Sequence, residues 1–205
     1  MRRALIIVAL ATAVAPVLAQ NAPPSLPGAV DVSRVKAGTY KIDTNHTQVH
    51  WSVNHFGFNP YNGIFGNITG DMTLDPANPS AAKVNVTIPI GNVVTTSDGL
   101  TKHLLTPDFF DVANHPTATF TSTKVTPNGN EATIEGNLTI RGVTRSVVLN
   151  ASFSGAGDNP MSKAPTVGFV ATTTVKRSDF GVKYAIPIVS DEVDLKITVA
   201  FERQA

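Results

Sequence analysis

The chain has 205 residues, with sixteen basic and fifteen acidic side chains and no cysteine. Without cysteine there are no disulfides, iron–sulfur clusters or thiolate zinc sites. The charges are interspersed and form no basic stripe to neutralise phosphates, so nucleic acid is not an expected partner.

The first residues, MRRALIIVALATAVAPVLAQ, follow the pattern of an export signal: two arginines, an apolar run from Ala4 to Val14, then small residues. Val17-Leu18-Ala19 fits the small-x-small rule, which predicts a signal peptide over 1–19 cleaved after Ala19. The run is short for a membrane span, which needs about 20 apolar residues, so no transmembrane segment is expected in the mature chain. Removing Arg2 and Arg3 leaves fourteen basic residues against fifteen acidic ones, a net charge of −1. Residues 20–38 hold three prolines and little apolar periodicity, and read as a flexible leader. From 39 to 205 the composition is even, which predicts one domain. At roughly 165 folded residues it is large enough to be held by its core alone.

Within that domain the dominant period is two. After segments 48–55 and 63–74, AKVNVTIPI places Val84, Val86, Ile88 and Ile90 on one face. The next segment, 96–116, has no alternation. Leu100, Leu104 and Leu105 have helical spacing, and Thr106-Pro107-Asp108 reads as an N-cap, a proline at the first helical position and an acidic first turn. Two short helices are therefore predicted at one end of the fold. Alternation resumes over 117–125, then places Ala132, Ile134, Gly136, Leu138 and Ile140 together, followed by Val147, Leu149, Ala151 and Phe153. Val167, Phe169, Ala171 and Val175 form another face, and Val193, Leu195, Ile197, Val199 and Phe201 the last. Side chains two apart on a strand point the same way, so each segment has a dry and a wet face. About eight one-sided strands in succession predict an all-β fold, an antiparallel eight-stranded up-and-down β-barrel whose closure removes exposed edges.

A barrel of that size is either filled by its own side chains or holds one small ligand. Small residues stand beside bulky ones on the dry faces: Gly66 and Gly70 beside Ile64, Ile68 and Met72, Ala118 beside Phe120, Ala171 beside Phe169. They either leave volume for a ligand or relieve strain and taper at barrel corners. The dry faces carry almost no polar atoms, so a ligand there would be held by apolar burial, worth roughly 0.8 kcal/mol per CH₂. A long hydrocarbon chain fits that better than a sugar or nucleotide.

Four stretches carry a resemblance: YKIDTNHTQVHWSVNHFGFNPYNGIFGNITGDMTLD, HLLTPDFFDVANHPTATFTS, GNLTIRGVTRSVVL and KRSDFGVKYAIPIVSDEVDLKI. In order and spacing, from Tyr40 to Phe201, they resemble the YceI-like family. The resemblance implies a lipocalin-like barrel exported to the periplasm that binds polyisoprenoid or similar lipid chains in its lumen, often as a dimer. Some members are known only as stress-induced secreted proteins. The match departs at Trp51 and Asn59-Pro60, which bears on the ligand more than on the fold.

The expected lumen lining is Ile64, Ile68, Met72, Val86, Ile88, Phe120, Leu138, Leu149, Phe169, Leu195 and Ile197, with Trp51, Val53, His55, Phe56 and Phe58 towards the mouth. Phe109 and Phe110 either cap a bound chain or seal the core beneath the second helix. Guanidinium groups hold phosphates bidentately, which makes Arg177, with Asp179 and Asp108, a candidate head-group contact. The alternatives are solvation, a carboxylate partner and helix-terminus stabilisation. His46 and His50 are four apart on an expected strand, about 13 Å, too far to share an ion. His55 has the opposite parity, so no metal or other cofactor is expected. No Gly-x-Ser-x-Gly elbow, Walker loop or His-Glu-x-x-His helix occurs, and no catalytic residue is expected. The expected partner is a long-chain isoprenoid or fatty lipid, for transport, storage or sequestration. The alternatives are a small-molecule hydrolase using His55 at the mouth and a ligand-free envelope protein.

Overall fold

The computed structural model describes residues 25–205. The expected signal segment and its cleavage site lie outside the described residues. Among the described residues, eleven antiparallel strands form one sheet that closes on itself. They are β1 (Gly38–Ile42), β2 (Gln48–His55), β3 (Asn59–Phe65), β4 (Thr69–Leu74), β5 (Lys83–Pro89), β6 (Val93–Val94), β7 (Thr117–Asn128), β8 (Glu131–Ile140), β9 (Val143–Asp158), β10 (Pro165–Lys176) and β11 (Glu192–Arg203). β1 and β2 lie end to end along β11, opposite residues 201–203 and 194–198. β3 and β4 form the next stave, and β6 and β5 pair with them in turn. Counting each broken stave once gives the eight-stranded barrel that the alternation predicts.

The breaks decide which side chains face inward. Tyr61, Gly63 and Phe65 point in on β3, whereas Ile68, Gly70 and Met72 point in beyond it, because residues 66–68 interrupt the strand and Asn67 takes a left-handed φ of 55°. A slip of one residue exchanges the two faces. Ile64, expected on the dry face, is therefore corrected to the outer face, opposite His50 and Val94. Gly63 and Gly136 open no volume: the rings of Trp51 and Phe120 occupy the space their side chains would take.

Among the described residues the one α-helix is α1 (Asp98–Leu104), capped by Ser97, whose hydroxyl accepts from Leu100 N at 3.3 Å. The second predicted helix is a series of turns. Thr106 Oγ1 donates back to His103 O at 2.8 Å, and Asp111 takes a left-handed φ of 49°. These turns share one end of the barrel with the β2–β3 and β8–β9 turns and the loop 177–191, here called the closed end.

At the opposite end, part of the expected leader lies against the barrel. Ala29 exchanges two backbone hydrogen bonds with Ala156, of 3.1 and 2.8 Å, and a 3₁₀ turn at Val32–Arg34 is capped by Asp31. Gly157 makes this possible, since a Cβ there would collide with the carbonyl of Pro27. Gly157→Val should lift residues 25–31 from β9 and leave the barrel folded. Hydrogen exchange checks this: the Ala29 and Ala156 amides lose protection while β11 keeps its own.

Candidate ligand-binding site

The barrel encloses a cavity of about 390 Å³, within the range of small-molecule sites. Its walls are the dry faces read from the alternation, and ten expected lining residues are there: Ile68, Met72, Val86, Ile88, Phe120, Leu138, Leu149, Phe169, Leu195 and Ile197. Of the lining residues, only Thr47, Asn130, Glu131 and Thr173 carry a polar nitrogen or oxygen in the side chain. Asn130 and Glu131 stand at the exposed β7–β8 turn. There the cavity opens, between that turn, Pro76 and Pro79 of the β4–β5 link, and Val32 of the leader. Several inward residues, Ile134, Leu149, Leu195 and Ile197 among them, are only half-buried although they point into the barrel. A close-packed interior would have buried them fully.

The other end is filled. Trp51, Phe65, Ile90, Val93 and Leu104 are buried there. Phe110 meets Phe65 edge-on at 5.6 Å, while Phe109 packs with His103 at 5.0 Å and Tyr184 at 5.2 Å. Val53 packs into the same core. His55 stacks on Phe56 at 3.9 Å, and Phe58 is exposed at the tip of the β2–β3 turn. None of these residues lines the cavity. The expected mouth group therefore stands at the closed end, a barrel length from the opening. Trp51 adjoins the cavity, paired in register with Leu195 of its wall. Its Nε1–H has no hydrogen-bond partner among the described residues.

Arg177, Asp179 and Asp108 also belong to the closed end. Arg177 is buried, and its guanidinium donates to four carbonyls of the following loop: Ser190 at 2.8 Å, Tyr184 at 2.7 Å, Val189 at 3.0 Å and Val182 at 3.4 Å. Burial holds its pKa below the usual arginine value, and the charge of Asp191 opposes that shift. Burial by itself would raise the Asp191 pKa. The hydroxyl and amide of Ser178, with the Arg177 charge, outweigh it and hold the carboxyl below its ordinary value. Arg141 Nη1 donates to Phe109 O at 2.6 Å, tying the turns to the barrel. Asp108 Oδ2 lies 2.9 Å from His103 Nε2, within hydrogen-bond distance, and Asp179 is exposed.

Each of the first two histidines has a local partner: His46 sits in a turn, 2.6 Å from Asp43, and His50 is 2.9 Å from Gln48. His46 is therefore not on the strand expected for it. Lining residues that sequence reasoning did not single out include Val32 and Val35, which fall in the aperiodic leader, and Val49, Ile134 and Val147, whose parity already pointed inward.

The YceI-like domain family matches residues 40–201. Protein YceI of Escherichia coli O6:H1 is 42% identical over 165 residues, covering 80% of this chain and 86% of that protein. Among solved structures, BcnA of Burkholderia cenocepacia superposes with a TM-score of 0.70 at 25% identity, over 78% of this chain and 98% of that one. A polyisoprenoid binding domain from Saccharophagus degradans gives a TM-score of 0.59 at 14% identity, over 82% of this chain and 100% of that one. At that identity the likeness is one of fold.

Proposed function

The chain belongs to the YceI-like family, and from that premise we propose that it is a lipid-binding protein. It is exported to the periplasm, and its barrel holds one long apolar chain, a polyisoprenoid or similar lipid, for transport, storage or sequestration. The observation that carries this reading is an unfilled lumen whose wall is apolar almost throughout, with Asn130 and Glu131 among its four polar side chains standing at the opening. That arrangement lets a hydrocarbon enter while a polar head stays in water near Asn130 and Glu131. The Saccharophagus degradans domain of the same fold, a polyisoprenoid binding domain, supports the choice of ligand class. The lining offers no nucleophile paired with a base, so the role proposed is holding and not transforming.

Trp51 is the chain's one tryptophan and adjoins the inner end of the cavity, so its emission reports occupancy. Titration with prenyl alcohols of increasing length should shift that emission saturably at one ligand per chain. Affinity should rise with length, by up to about 0.8 kcal/mol per buried CH₂, and level off once the cavity is full. Absence of saturable binding by every apolar chain tested would overturn the reading.

A further inference from the structure

We propose that the open end of the barrel is a docking face for the surface of a lipid bilayer, and that the N-terminal segment 25–35 is the part that enters it. The inference rests on the lumen reading above, because it concerns how an apolar chain reaches that lumen.

Exposed large apolar residues gather at both ends of the molecule, but only at the open end do they adjoin the cavity. Leu26 is 80% exposed, Val30 61% and Val32 55%. Val32 also lines the cavity at its opening, so the apolar surface runs from solvent into the lumen through one side chain. Met161, 88% exposed, stands in the β9–β10 turn beside the same segment. That turn is held close by the Lys36–Asp158 ion pair of 3.8 Å and by the packing of Pro27 on Gly157.

Apolar side chains exposed to water without a partner are unfavourable, and a cluster of them around an opening marks a contact surface. The cavity identifies the contact. Whatever covers this face must pass a hydrocarbon chain across it without exposing the chain to water, and a bilayer presents its chains in that way. The charges nearby are of both signs: Arg34 pairs with Asp31 at 3.6 Å and Lys36 with Asp158, while Lys163 of the β9–β10 turn donates to the carbonyl of Pro160. On a bilayer without net charge, docking by insertion of Leu and Val side chains is insensitive to salt.

The test uses protein purified after export, its processed N-terminus verified by mass spectrometry, and vesicles of phosphatidylcholine alone. Wild-type protein should sediment with the vesicles equally at low and high salt. The double variant Leu26→Asp, Val30→Asp should partition at least about tenfold less, while Phe58→Asp, at the closed end, should behave as wild type. All three should take up a prenyl alcohol from solution alike. If wild type takes up the alcohol but ignores vesicles, docking is overturned and the lumen reading stands. If it binds vesicles but takes up no alcohol, the lumen reading falls and docking alone survives. Loss of vesicle binding in Phe58→Asp with no loss in the double variant overturns the choice of face. So does concentration-dependent self-association, abolished by the double variant, in protein that ignores vesicles.

Discussion

Replacing Ala151 and Ala171 together by phenylalanine is expected to weaken chain binding by about a hundredfold or more and to leave the barrel folded. The two alanines face each other in register on β9 and β10, and both line the cavity. Two rings projecting from there would take the space of about four methylenes of ligand. At roughly 0.8 kcal/mol each, that loss corresponds to about two orders of magnitude in affinity. Overpacking is destabilising where a core is already dense, but here the rings enter open volume, so the change in unfolding free energy should stay within about 1 kcal/mol. Urea unfolding and the Trp51 titration, run on the same sample, separate the two effects. A folded double variant that binds as tightly as wild type would place the chain outside the lumen.

Arg177→Met should cost about 3–5 kcal/mol of stability. Methionine matches the length of the arginine stem but supplies none of the N–H groups that now reach the carbonyls of Val182, Tyr184, Val189 and Ser190. Buried carbonyls left without a donor carry a desolvation penalty of about 1–3 kcal/mol each, reduced where the loop opens and water reaches them. Arg177→Lys, with three donors and no planar fork, should recover part of the loss. Urea denaturation gives the magnitude, and amide exchange over 178–191 shows whether the loss is local or global. A variant that keeps wild-type stability and loses only ligand would make the guanidinium a binding group instead of a brace.

The contrast between these residues shows what the linear sequence carries. Leu138, Leu149, Leu195 and Ile197 were legible as lumen residues because each lies on an unbroken period of two, and alternation on a strand states the face directly. Ile64 was not. Its strand is interrupted at 66–68, and a reading that continues the period across a break assigns every earlier residue to the wrong side. Thr106-Pro107-Asp108 has the composition of a helix start, yet the threonine hydroxyl is taken by the carbonyl of His103, so the turn closes backward. Arg177 read as a rim group, solvated, paired with a carboxylate or free to meet a head group, since its true acceptors are main-chain carbonyls in a loop with no periodicity. Val32 and Val35 reach the cavity because a glycine on β9 lets the leader lie close, a relation between residues about 125 apart. The end at which the cavity opens was likewise hidden. The aromatic-rich β2–β3 turn resembles a mouth in composition, whereas the opening lies among prolines, a glycine and an asparagine at the other end.

The central claim is that the lumen holds a long apolar chain, and native mass spectrometry of the protein released from the periplasm, followed by organic extraction, tests it most directly. One long-chain lipid per barrel, recovered intact in the extract and absent from the Ala151→Phe, Ala171→Phe variant, is the predicted result. An empty barrel that also fails to take up prenyl lipids when they are supplied would contradict it.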